Sequence, residues 1–130
     1  MREAIEEGDV GALARMVGAT PVDAVVSDGR TLLMLAVEET NLPAAELLVS
    51  RGASLDLRDS HGATALAIAA QMGFQEAVEA LLAAGADPNT RDVSGMTPLD
   101  IAEEHGAHDV AALLLRFGAK SGRELGPIHP

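Results

Sequence analysis

The dipeptide Gly-Ala occurs at residues 52–53, 85–86 and 118–119, a step of 33 residues each time. Thr31, Thr64 and Thr97 keep that step, as do Leu33, Leu66 and Leu99, then Ala36, Ala69 and Ala102, and last Leu48, Leu81 and Leu114. A fixed period of this length marks a stacked repeat protein. One supersecondary unit is copied along the chain, and no copy can bury its apolar face without a neighbour. Such a chain is expected to present an extended binding surface rather than a catalytic pocket.

The punctuation inside each unit is helical. Thr97 reads as an N-cap and Pro98 as the first helical residue, where a missing N–H costs nothing; Thr31 and Thr64 take the same role. Each first helix is short and ends at a glycine, Gly73 or Gly106, able to adopt the left-handed cap. In the copy where Thr40 stands at that position, Asn41 is expected to adopt it instead. The second helices are expected over about Pro43 to Arg51, Gln75 to Ala84 and His108 to Phe117, closed by Gly52, Gly85 and Gly118. The stretch from Asp87 to Asp92, with Pro88 and Asn89, carries turn chemistry.

The run Asp92-Val-Ser-Gly95-Met-Thr97-Pro98-Leu99-Asp-Ile-Ala102, followed by Gly106, Leu114-Leu115 and Gly118-Ala119, resembles an ankyrin repeat. Asp59 to Arg91 matches through Gly62, Thr64, Leu66, Ala69-Ala70, Gly73, Leu81-Leu82, Gly85-Ala86-Asp87 and Asn89. Val26 to Arg58 is a looser copy without the opening Asp. Residues 1–25 resemble the second half of a unit, through Ala4, Gly8-Asp9, Leu13 and Met16-Val17. The resemblance runs to Lys120 and divides the chain into an N-terminal cap, 1–25, three units, 26–58, 59–91 and 92–120, and a tail, 121–130. It implies an all-α repeat solenoid: antiparallel helix pairs stacked in a curved array, with short β-hairpin loops at right angles to them. Asn89 resembles the asparagine that bonds neighbouring hairpins in this family. The equivalent positions hold Asp56 and Gly122, so the asparagine ladder is expected to be interrupted.

Composition narrows the function classes. At 130 residues the chain is one domain with a real core. A net charge of −11 argues against nucleic acid, whose phosphates need a basic face. Trp and Tyr are absent, and Phe74 and Phe117 are the only aromatics, so no base-stacking platform is available. Without cysteine there is neither a disulfide nor a thiolate metal site. No apolar run approaches a membrane span and no signal peptide follows Met1, so a cytoplasmic location is expected.

Ankyrin domains generally bind proteins through the hairpin tips and the exposed ends of the first helices. Position by position, the resemblance gives a helix row of Glu38, Glu39, Gln71, Met72, Glu104 and His105. It gives a hairpin row with Arg30, Arg58, His61, Arg91 and Met96. The first row is acidic and the second carries three arginines, which suggests a groove with an acidic palm and basic fingertips. Such a surface steers a basic partner and fixes its register. Met72 and Met96, apolar at positions the family exposes, are the candidate hot spots.

No catalytic constellation is visible. No serine or cysteine nucleophile lies beside a base, and there is no phosphate-binding glycine loop. Glu104-His105-Gly-Ala-His108-Asp109 holds metal-ligand types, but Gly106 should break the helix between the two histidines, so neither a metal nor a cofactor is expected. The chain therefore reads as a non-enzymatic module that holds another protein, an acidic adaptor or stoichiometric inhibitor of a partner with a basic surface. The alternative is an architectural fragment of a longer array with no binding site of its own. At the C-terminal end Leu113, Leu115 and Phe117 are apolar where a further unit would dock. Either the tail folds back, with Leu125 and Ile128 covering them, or a partner or a second copy does.

Overall fold

The computed structural model describes residues 22–126; the N-terminal cap expected over 1–25 lies almost entirely outside them, as does Ile128. Two short strands, β1 (Val25–Ser27) and β2 (Arg30–Thr31), precede three helix pairs: α1 (Leu32–Glu38) with α2 (Leu42–Ser50), α3 (Ala65–Met72) with α4 (Gln75–Ala83), and α5 (Pro98–Glu104) with α6 (His108–Arg116). A single turn, α7 (Gly122–Leu125), follows. The pairs stack so that α1, α3 and α5 form one layer and α2, α4 and α6 the other. This is the all-α repeat solenoid that the 33-residue period implies.

Each aligned column has one physical job. Thr31, Thr64 and Thr97 accept a hydrogen bond from the backbone N–H three residues on, at 3.2–3.3 Å, and all three are buried. Asp100 completes a capping box by accepting from the Thr97 N–H. Leu48, Leu81 and Leu114 are 0–1 % exposed and run through one continuous core with Leu33, Leu66, Leu99 and the alanines at 36, 69 and 102. Alanine at that last column lets the two layers approach closely, because it adds no side chain beyond Cβ.

The turn between α1 and α2 departs from expectation. Thr40 itself takes the left-handed conformation, at φ 54°, alongside Gly73 at 66° and Gly106 at 68°. Asn41 does not; it sits at φ −95° and caps α2 by accepting from the Ala44 N–H at 3.2 Å. The bonds around Thr40 explain its conformation. Thr40 N–H donates to the Val37 carbonyl and Asn41 N–H to the Ala36 carbonyl, the same pair of bonds that Gly73 and Phe74 make to Ala70 and Ala69. Four carbonyls at a helix end need donors, and the fold supplies them in the same geometry whichever residue occupies the cap.

On the other edge, the opening Asp organises two of the three turns. Asp59 Oδ1 accepts from the N–H of His61 and Ala63, and Asp92 Oδ1 from those of Ser94 and Met96, at 2.8–3.0 Å. Where Val26 replaces that Asp, the chain forms the β1–β2 hairpin instead, turned by Asp28 and Gly29 at φ 51° and 76°. Both central residues at positive φ is the two-residue turn that fits the twist of paired strands. Successive turns are stitched together: Ser60 N–H donates to the Asp28 carbonyl and Val93 N–H to that of His61. Gly62 is confined by this stitching, since a Cβ there would lie 2.8 Å from the Val93 nitrogen.

The asparagine ladder ends at Gly122, which has no side chain, but at the earlier position aspartate does the same work. Asp23 accepts from the Ser54 N–H, Asp56 from the Asp87 N–H and Asn89 from the Lys120 N–H, at 2.7–3.0 Å, each across 31 residues. A carboxylate oxygen accepts from a backbone N–H as an amide oxygen does. Only Asn89 also donates, to the Gly118 carbonyl at 3.4 Å.

The described part of the tail, residues 121–126, folds back onto the turns. Asp100 Oδ2 accepts from the Gly122 N–H at 2.8 Å, and Arg91 Nη2 donates to the carbonyls of Gly122 and Gly126. These contacts place α7 on the turn side of the stack. Leu113 is buried within its own unit, whereas Leu115 is 54 % exposed, Phe117 43 % and Leu125 39 %. Leu125 therefore does not cover the patch, because Arg91 and Asp100 draw the tail toward the turns.

Candidate binding groove

The α1–α3–α5 layer and the turns beside it enclose a cleft of about 630 Å³. Its apolar floor is Ala63, Ala67, Ile68 and Ile101. Ile68 and Met72 are four residues apart on α3, and Ile101 precedes His105 by four on α5 and the residue that ends it, so both pairs project on one face. Arg30, Glu38, Asp59, His61, Gln71 and Asp92 supply the polar walls.

Six of the residues proposed from the sequence line this cleft: Arg30, Glu38, His61, Gln71, Met72 and His105. Met72 is 43 % exposed at its mouth, an apolar side chain where a partner could reach it. His105 is anchored by its Nδ1, 2.9 Å from the Ile101 carbonyl. Glu104 is exposed on the same helix end but does not line the cleft, and Glu39 closes α1 as its C-cap.

The three arginines of the hairpin row are each engaged within the chain. Arg30 forms an ion pair with Glu38 at 3.1 Å. Arg58 donates through Nε to the Gly62 carbonyl and through Nη2 to the Arg91 carbonyl, one repeat further on. Arg91 repeats the arrangement on the tail. The planar guanidinium fork suits this bridging of two carbonyls, and it commits Arg58 and Arg91 to holding neighbouring units. Met96 is also structural: it is half-buried and packs against the core. Glu38 Oε1 is buried with no hydrogen-bond partner, which leaves acceptor capacity on the cleft wall.

Asp59 and Asp92 were not among the residues singled out, and neither was the apolar floor. The aligned column Leu35, Ile68 and Ile101, one helical turn before the exposed helix ends, is the sequence signal that could have shown the floor. Among the described residues no cluster of three or more His, Asp or Glu side chains is arranged to hold a metal. None of their helices is long and apolar enough to cross a membrane.

Residues 1–92 match the family model described as ankyrin repeats (3 copies). The chain belongs to the ankyrin repeat family. A second model, ankyrin repeats (many copies), matches residues 75–115, so the two together cover residues 1–115. No curated protein matches the chain. Ankyrin repeats are generally protein–protein interaction modules, and the family is non-enzymatic.

Proposed function

We propose that this ankyrin domain holds a partner protein in the cleft of its α1–α3–α5 layer, as an acidic adaptor or stoichiometric inhibitor. The observation that carries the reading is the composition of that cleft. An apolar floor ends at an exposed methionine; on its walls Glu38 is paired with Arg30, Asp59 and Asp92 add two further carboxylates, and Arg58 and Arg91 are turned to backbone carbonyls. A partner segment with an apolar anchor flanked by lysine or arginine fits this chemistry. Its anchor would pack against Ile68, Ile101 and Met72, and its cations would face Glu38, Asp59 and Asp92. Buried apolar contact supplies most of the affinity of such an interface, and the charges set approach and register.

Selection from a displayed library of random peptides tests this. Peptides enriched on the native protein should carry a basic residue beside an apolar one and should bind Met72→Asp at least about tenfold more weakly, a loss of about 1.4 kcal/mol. Enriched peptides that bind Met72→Asp and the native chain equally would place the interface elsewhere.

A further inference from the structure

The C-terminal end of the stack is chemically unlike the rest of the molecule. Leu115 occupies the position of Leu82 one unit earlier; on α4, against which α6 packs, Leu82 is 5 % exposed, whereas Leu115 is 54 % exposed. Phe117 stands where the preceding units have Ala84 and Arg51, and it is 43 % exposed. Arg116 and Lys120, both exposed, lie beside them in the chain. Residues 115–121 hold two of the nine Lys and Arg of the chain and none of its twenty Asp and Glu. On a protein of net charge −11 this is a cationic, apolar corner.

We infer that this corner docks in the cleft of a second copy of the same chain, with Phe117 and Leu115 as the apolar anchors and Arg116 and Lys120 facing its carboxylates. The inference rests on the reading of the cleft as a binding surface and assigns that surface a self-directed regulator. Charge chooses the occupant. Two C-terminal ends meeting face to face would set cation against cation, whereas end against cleft sets Arg116 and Lys120 against Asp59 and Asp92. The contact must be between copies. Phe117 closes α6 through its N–H bond to the Leu114 carbonyl, in the outer helix layer, and the cleft belongs to the inner layer of the same rigid stack. A contact that joins two different surfaces does not close on itself, so copies add head to tail, each covering the cleft of the next. Self-association therefore competes with any partner for the cleft.

Sedimentation of the full chain tests the inference. The native protein should show an average mass that rises with concentration, and rises less steeply at about 1 M salt, where the screening length is about 3 Å. Phe117→Asp blocks the end and Met72→Asp blocks the cleft. Both positions are exposed, so the folds should persist, with the thermal melt as the check and Phe117→Ser with Met72→Gln as the milder pair. Each variant alone should remain a single chain, and an equimolar mixture should form a dimer of twice that mass and grow no further. Association of Met72→Asp with itself would show an end-to-end contact, and association of Phe117→Asp with itself would show a contact elsewhere. A native chain that stays single at every concentration would overturn the proposal outright and leave the cleft reading intact, since that reading stands or falls on the peptide selection.

Discussion

Thr40 shows how strongly the repeat overrides a residue's own preference. A β-branched side chain at positive φ is strained by about 1–3 kcal/mol, and glycine, which relieves that strain, loses about 0.5–1 kcal/mol of entropy on folding. Thr40→Gly should therefore stabilise the domain by about 1 kcal/mol, read as a higher urea midpoint with an unchanged slope. Asn41→Ala should do the reverse, costing about 1 kcal/mol through loss of the α2 cap. If Thr40→Gly destabilised instead, the turn would owe its geometry to the Thr40 hydroxyl, which donates to the Glu39 carbonyl at 2.7 Å, rather than to the two backbone bonds. Leu81, 1 % exposed at the centre of the core, is a plainer case: Leu81→Ala should cost about 2–5 kcal/mol. A melt unchanged within error would contradict the stacked core at that position.

At the scale of elements, the turns are held to one another as well as within themselves. Backbone bonds join successive tips, aspartate or asparagine joins successive loops across 31 residues, and Arg58 and Arg91 each reach into the next unit. Arg91 is the member of this series whose loss is simplest to read, because its acceptors are the two carbonyls of the tail. Arg91→Ala should free α7 while leaving the core nearly untouched. Trypsin should then cleave after Arg123 several times faster than in the native chain, while the melting temperature moves little. Cleavage at the native rate would mean that Asp100 and Asn89 suffice to hold the tail. Both also bond it, Asp100 at Gly122 and Asn89 at Lys120.

The whole molecule is a short linear array, so its stability is a sum over units and their interfaces. Leu81 lies between neighbours on both sides, whereas Leu114 belongs to the last complete unit. Leu81→Ala should lower a single cooperative transition. Leu114→Ala should separate the last unit from the rest and give a biphasic urea curve, with far-ultraviolet dichroism as the measurement. A single sharp transition in both variants would show that coupling between units outweighs the loss of one leucine. Charge acts at this scale too. Once a partner is in hand, its binding should weaken as salt rises, and it should respond more to Met72→Ala than to reversal of Glu79, which lies on α4 in the outer layer. Equal sensitivity at the two positions would move the interface off the cleft.

The architecture was legible in the sequence because it rests on short-range rules repeated in register. A threonine cap, an alanine column and a leucine column every 33 residues specify the same helix pair each time, and each pair needs its copy as cover. The exposed ends of the first helices followed from the same spacing, which is why Gln71, Met72 and His105 meet at the cleft. What only the tertiary structure decided are the choices between equivalent donors and acceptors. An exposed arginine on a turn can face a partner or the neighbouring carbonyl. Spacing along the chain does not distinguish these, whereas the Arg91 carbonyl, brought within 2.6 Å of Arg58 by stacking, does. The same holds for Asp56 serving in place of asparagine and for Met96 turning to the core. It holds as well for residues 122–126 of the tail, which are bonded to Arg91 and Asp100. In each case the backbone geometry of a neighbouring unit sets which bond is short, and that geometry exists only once the units have stacked.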